Sequence, residues 1–211
     1  MLRIVGIGPG NIRYMTQEAR TVLENSHIVY GYERQIEALE SLVIKGKKVV
    51  YTRLDELKDH LMGDRKSFTE LEISVLASGE PSLYGIAKYI GELFEGEDIE
   101  IISGISSVQY LFSKAKIPMN EVYITSCHGK EIQIEKVTAM DKIAFLTDKE
   151  KGPAYIADLF LMIGEDPMMV IGENLSYENE VITICKSSEI DKNKQYDMCV
   201  VIVVKDGYDE R

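Results

Sequence analysis

Gly79-Glu80-Pro81-Ser82-Leu83-Tyr84-Gly85 lies between an apolar strand-like run and a helix-like one, and it reads as a ligand loop. A strand that ends in glycine, an acid and proline and then feeds a helix leaves backbone N–H groups facing the crevice at the carboxyl end of a parallel sheet. Small polar ligands bind in such crevices. A second loop of this kind, Gly6-Ile7-Gly8-Pro9-Gly10-Asn11, opens the chain. Its third glycine comes one residue too soon for a dinucleotide fingerprint, with Pro9 between, so dinucleotide binding is disfavoured. A third loop, Ser103-Gly104-Ile105-Ser106-Ser107-Val108-Gln109, offers Ser106 or Ser107 as a helix cap or a ligand donor. Either glycine loop alone reads equally well as a tight turn. Together the three converge on one crevice.

The flanking elements must position these loops. Ile73 to Ala77 is β-branched and apolar enough for a buried strand, and Pro81 suits a first helical position. Leu83, Ile86, Ala87, Ile90 and Phe94 then recur at helical spacing. Leu2 to Val5 is a strand, and Thr16 caps a helix whose inward face is Ala19, Val22 and Leu23. Further strands at His27 to Tyr30, Val49 to Tyr51 and Ile99 to Ile102 alternate with helical stretches, the pattern of a parallel sheet. The polar, proline-bearing stretch Lys114 to Asn120 marks a boundary, giving domains 1–115 and 116–211. Beyond it lie strands at Val122 to Thr125, Ile143 to Leu146, Met169 to Gly172, Val181 to Cys185 and Met198 to Val204. A helix over Ala154 to Ile163 turns Tyr155, Ile156, Leu159, Phe160 and Ile163 inward. The turn-rich Gly172 to Glu180 link implies an antiparallel portion. The expected fold is therefore two α/β domains, the first sheet mostly parallel and the second mixed, with a loose charged tail from Lys205.

With 211 residues, 45% of them hydrophobic, the chain can bury a sizeable core. No apolar run approaches the ~20 residues of a membrane span, and Met1-Leu2-Arg3 leads into a strand rather than a signal peptide, so a cytoplasmic location is expected. Cys127, Cys185 and Cys199 form no CxxC pair, which suits a reducing compartment. Three scattered histidines, His27, His60 and His128, argue against a metal site. The net charge of -11 excludes a nucleic-acid role.

Gly6 to Gly10, Ala77 to Gly85 and Gly104 to Gln109 resemble, in order, the signatures of the tetrapyrrole methylases, the class III S-adenosylmethionine-dependent methyltransferases. Ser126-Cys127-His128-Gly129-Lys130, Leu146-Thr147-Asp148 and Gly172 to Tyr177 are similar to the branch that methylates carbon 5 of a precorrin in cobalamin biosynthesis. The match runs in register from Met1 to about Tyr177. It departs from the family pattern at Glu80 (aspartate), Ser103 (proline) and Lys130 (often arginine).

The resemblance implies S-adenosylmethionine as cofactor in a cleft between the two domains, S-adenosylhomocysteine as product and a precorrin as substrate. It assigns Ser78, Gly79, Glu80, Leu83, Tyr84, Ser106, Ser107, Leu146, Thr147, Gly172, Glu173 and Asn174 to the cofactor. Pro9, Gly10, Asn11, His128, Gly129 and Lys130 would face the substrate. A polycarboxylate substrate requires an acidic protein to concentrate positive charge locally, and Arg13, Arg34 and Lys130 are the candidates. The catalytic base is unassigned; His128 is the candidate, against its reading as a hydrogen-bonded structural histidine. Tyr84 is equally read as packing, Cys127 as inert, and Met168 and Met169 as core. A homodimer is implied, and the chain length leaves a carbon-15 methyltransferase and decarboxylase to a separate partner. Competing readings are a same-fold methyltransferase for another macrocycle carbon or a protein side chain, a nucleotide-binding dehydrogenase, and a non-catalytic cofactor-binding subunit.

Overall fold

The computed structural model describes residues 1–129 and 132–205. The chain divides into two compact units, Met1–Ser106 and Ser107–Arg211. In the first, β1 (Leu2–Gly6), β2 (Ile28–Gly31), β3 (Lys47–Val50), β4 (Ile73–Ala77) and β5 (Ile99–Ile102) form one sheet in the order β3-β2-β4-β1-β5. Every pairing in it is parallel. Side chains alternate between two cores, as strand geometry requires. Leu2, Ile4, Ile73 and Val75 pack with helices α3 (Leu54–Asp64) and α4 (Ala87–Leu93). Val5, Val29 and Leu76 pack with α1 (Gln17–Glu24) and the segment after α2 (Glu33–Glu37). With both faces covered, β4 is buried at all five positions, which explains its unbroken apolar run.

The second unit contains α5 (Ser107–Ala115), β6 (Val122–Ser126), α6 (Ile134–Thr138), β7 (Lys142–Leu146), α7 (Pro153–Met162), β8 (Met168–Glu173), β9 (Val181–Lys186) and β10 (Cys199–Val204). The sheet order is β6-β7-β10-β8-β9. β6 and β7 are parallel, while β10 runs antiparallel to β7 and β8, and β9 antiparallel to β8. Phe145, Ile156, Phe160, Ile171 and Val201 centre its core.

Several expectations shift. The division falls after Ser106 rather than after Ala115, because α5 packs on the second sheet: a β-carbon on Gly172 of β8 would lie 2.8 Å from Leu111 Cδ1. Pro81 does not open a helix; α4 starts at Ala87. The intervening Tyr84 adopts φ +53°, and a β-carbon on Gly85 would lie 2.4 Å from the Pro81 carbonyl oxygen, so residues 81–86 form a compact turn. Ile163 caps α7 and is exposed, since the helix ends one residue before it. Thr16 caps α1 as expected, its Oγ1 accepting from the Ala19 N–H at 3.1 Å. No helix among the described residues is long and apolar enough to cross a membrane.

Candidate functional site

The carboxyl ends of β1, β4 and β5 bring the three glycine loops together. Past the strands, the Ile7 N–H donates to the Ala77 carbonyl at 2.9 Å and the Gly79 N–H to the Gly8 carbonyl at 2.8 Å. Gly8 and Gly79 have φ of +83° and +69°, the left-handed region that glycine enters without a side-chain clash. A β-carbon on Gly104 would lie 2.1 Å from the Gly79 carbonyl oxygen, and one on Gly6 would lie 2.6 Å from the Gly104 nitrogen. The loops therefore meet backbone to backbone, with no room for side chains at the junction.

Glu80 stitches two of these loops. Its Oε1 accepts from the Ser82 N–H and its Oε2 from the Gly104 N–H, each at 3.0 Å. Burial pushes this carboxyl up, but the two amides, with the Ser82 and Ser103 hydroxyls, outweigh it and hold the group below its ordinary range. Beside it, Ser78 Oγ accepts from Gln35 Nε2 at 3.1 Å. Leu83 donates its N–H to the Glu80 carbonyl at 3.2 Å, and Tyr84 stands exposed. Pro9 and Gly10 lead to Asn11, whose side chain accepts from the Arg13 N–H at 3.0 Å and caps a short turn over Ile12–Tyr14. Ser106, buried, follows β5, and Ser107 begins α5.

In the second unit the assigned residues meet along one edge of the mixed sheet. Val200 of β10 pairs with Leu146 on one side and Gly172 on the other. Thr147 Oγ1 donates to the Cys199 carbonyl at 2.6 Å. The buried Glu173 takes the Lys194 ammonium on Oε1 and the Asp197 N–H on Oε2 at 3.3 Å. Asn174, at φ +47°, donates its N–H to the Met198 carbonyl and its side-chain amide to Asp197, both at 3.1 Å. Glu173 and Asn174 thus hold residues 194–198 in place.

A depression of 350 Å³ at this edge is lined by His128, Thr147, Asp148, Lys149, Tyr196, Asp197 and Met198. His128 is exposed; its N–H donates to Ser126 Oγ at 3.2 Å, and Nδ1 lies 3.5 Å from the same hydroxyl. Asp148 is held below its ordinary range by the Lys151 and Glu150 amides and the neighbouring His128 ring. Gly129 has φ +60°, and Lys130 lies outside the described residues. Sequence reasoning missed Asp148, Lys149, Tyr196, Asp197 and Met198 as lining residues. Asp148 had a signal, being adjacent to Thr147, whereas Lys194 to Met198 carries no motif. Burial pushes the Cys127 and Cys199 thiols up to about 11, so neither is a nucleophile at neutral pH.

Comparison with known proteins agrees with this architecture. The family model for Tetrapyrrole (Corrin/Porphyrin) Methylases matches residues 1–191. The cobalt-precorrin-7 C(5)-methyltransferase of Salmonella typhimurium is 34% identical over 206 residues, covering 97% of this chain and 98% of that one. The crystal structure of a precorrin-6Y methylase from Archaeoglobus fulgidus superimposes with a TM-score of 0.76 at 24% identity, covering 98% of this chain and 99% of that one. The uroporphyrin-III C-methyltransferase of Thermus thermophilus, solved with S-adenosylhomocysteine, superimposes at 0.76 with 16% identity and 97% coverage of each chain. At those identities the two structures speak to the fold alone. The chain belongs to the tetrapyrrole methylases. It is accordingly an S-adenosylmethionine-dependent methyltransferase.

Proposed function

We propose that this methyltransferase acts on carbon 5 of a cobalt-precorrin in cobalamin biosynthesis. The observation that carries the reading is the 34% identity to the Salmonella carbon-5 enzyme over 98% of its length.

The residues present fit the cofactor in their chemistry, since the glycine loops gather at the carboxyl ends of β1, β4 and β5 with the Glu80 carboxylate and the Ser78 and Ser106 hydroxyls as partners for its polar groups. Bound S-adenosylmethionine supplies an electrophilic methyl group on a sulfonium. Ser78, Gly79, Glu80, Leu83, Tyr84, Ser106, Ser107, Leu146, Thr147, Gly172, Glu173 and Asn174 would hold it. Pro9, Gly10, Asn11, His128, Gly129 and Lys130 would face the tetrapyrrole. The reacting carbon of a reduced tetrapyrrole is already nucleophilic, so the protein's main task is alignment. Holding two reactants at near-attack geometry can supply ~7–11 kcal/mol of a barrier, more than one acid–base group gives. His128 is the candidate for proton handling after transfer.

The Salmonella relative is named for carbon 5 alone, which supports leaving carbon-15 methylation and decarboxylation to a separate protein. A homodimer in the cytoplasm completes the reading on family grounds. The test is transfer of a radiolabelled methyl group from S-adenosylmethionine to cobalt-precorrin-7. Label should appear at carbon 5 of the product. Label at another carbon, or none with S-adenosylhomocysteine demonstrably bound, overturns the assignment.

A further inference from the structure

The carboxyl edge of the first sheet extends past the glycine loops to the ends of β2 and β3, where the sequence offers Arg34 as a candidate charge and assigns no other residue. Tyr32, the residue after β2, and Tyr51, the residue after β3, pack ring on ring there, with centroids 4.5 Å apart and planes at 50°. Tyr51 is 1% exposed, and its hydroxyl has no hydrogen-bond partner among the described residues. Buried hydroxyls are almost always paired, so an orphan of this kind calls for an acceptor from outside the chain. Tyr32 is 38% exposed, so it is the solvent-facing ring of the pair and covers the buried Tyr51.

This corner is tied to the glycine loops by one buried side chain. Gln35 Oε1 accepts from the Tyr32 N–H at 2.9 Å, while Gln35 Nε2 donates to Ser78 Oγ at 3.1 Å. Adjacent strands lie about 4.8 Å apart, so the step from β4 across β2 to β3 is about 10 Å, within reach of an acid arm on a macrocycle seated at the loops. The same turn carries an exposed guanidinium, Arg34. Burial raises both phenols, so at neutral pH they are protonated donors. Two phenolic donors with an arginine two residues along the same turn, Glu33 lying between, offer hydrogen bonds and positive charge, the chemistry that recognises a carboxylate.

We propose that Tyr32, Arg34 and Tyr51 form a subsite for one carboxylate arm of the tetrapyrrole. The proposal rests on the tetrapyrrole reading of the neighbouring loops, and it names a part of the substrate that those loops leave unbound. In a chain of net charge -11, such a subsite also explains how a polyanion is accepted locally.

The experiment measures binding of uroporphyrin III and of its fully methyl-esterified form to the wild type and to Arg34→Ala and Tyr51→Phe. S-adenosylhomocysteine affinity and melting temperature are recorded in parallel. The free acid should bind the wild type more tightly than the ester. Each variant should lose about 10-fold in affinity for the acid, the scale of a hydrogen bond to a charged group, with little change for the ester. S-adenosylhomocysteine affinity should stay within about twofold, and Tyr51→Phe should melt as the wild type does because no internal hydrogen bond is removed. Unchanged affinity for the acid in both variants overturns the subsite, as does a wild type that binds neither porphyrin. If the acid binds and the variants weaken it while no methyl reaches cobalt-precorrin-7, the functional assignment fails and the subsite stands.

Discussion

A carboxylate that accepts from the Ser82 and Gly104 amides joins two loops whose bonded residues stand 24 positions apart. Because Glu80 titrates below its ordinary 4.5 in the folded chain, it stabilises the fold above that pH, and the contribution is lost as pH falls through the folded value. Glu80→Gln should therefore melt below the wild type at about pH 7, and the two melting temperatures should converge towards about pH 3. Parallel curves across that range would detach Glu80 from the loop junction. Glycine at position 104 is forced in another way. With only 2.1 Å to the Gly79 carbonyl oxygen, Gly104→Ala should destabilise by about 1–3 kcal/mol or more, the scale of overpacking, and weaken S-adenosylhomocysteine binding in calorimetric titration. Much of this site was legible in the sequence, because close backbone approach leaves glycine as its trace and the trace is local. The partners of Glu80, Ser78 and Glu173 were not legible. Gly104, Gln35 and Lys194 reach them through the folded chain; Gly104 lay in a loop already singled out, but nothing in the neighbourhoods of Gln35 and Lys194 marks them.

Among the elements, strands were read more closely than helices. All five strands of the second unit fall within a residue or so of their expected bounds; in β7, β8 and β10 burial on both faces writes an apolar run with sharp edges, while the edge strands β6 and β9 keep their β-branched residues despite exposure. The start of α4 was misplaced because the spacing of Leu83, Ile86 and Ala87 is helical whether or not the backbone follows it. Tyr84 at φ +53° breaks the helix beside Gly85, a signal that the helical spacing outweighed in the reading of the sequence. The same helix contains Gly91, around which an added β-carbon meets nothing within 4 Å. Gly91→Ala should accordingly raise stability by about 0.5–1 kcal/mol through helix propensity alone. In a chain of this size that is a rise of about 1–4 °C in melting temperature. A fall would mean that α4 is not helical at that residue.

For the whole molecule, a ligand that binds only the folded state raises its stability by mass action, by about 2.7 kcal/mol at 100 times the dissociation constant. S-adenosylhomocysteine should raise the melting temperature, and NAD at equal concentration should leave it unchanged. The reverse order would return the chain to the dehydrogenases. The cysteines add a readout of a different sort. Cys127, Cys185 and Cys199 all fall in the second compact unit, and the first has no thiol. Cys127 and Cys199 are shut inside, with thiols near 11, so an alkylating reagent reaches them only when that unit opens. Their modification rate is thus a clock for one half of the chain, silent to the other. If the cofactor touches residues 146–147 and 172–174, S-adenosylhomocysteine will slow the clock; a clock still running at its native pace would remove those residues from the cofactor's contacts.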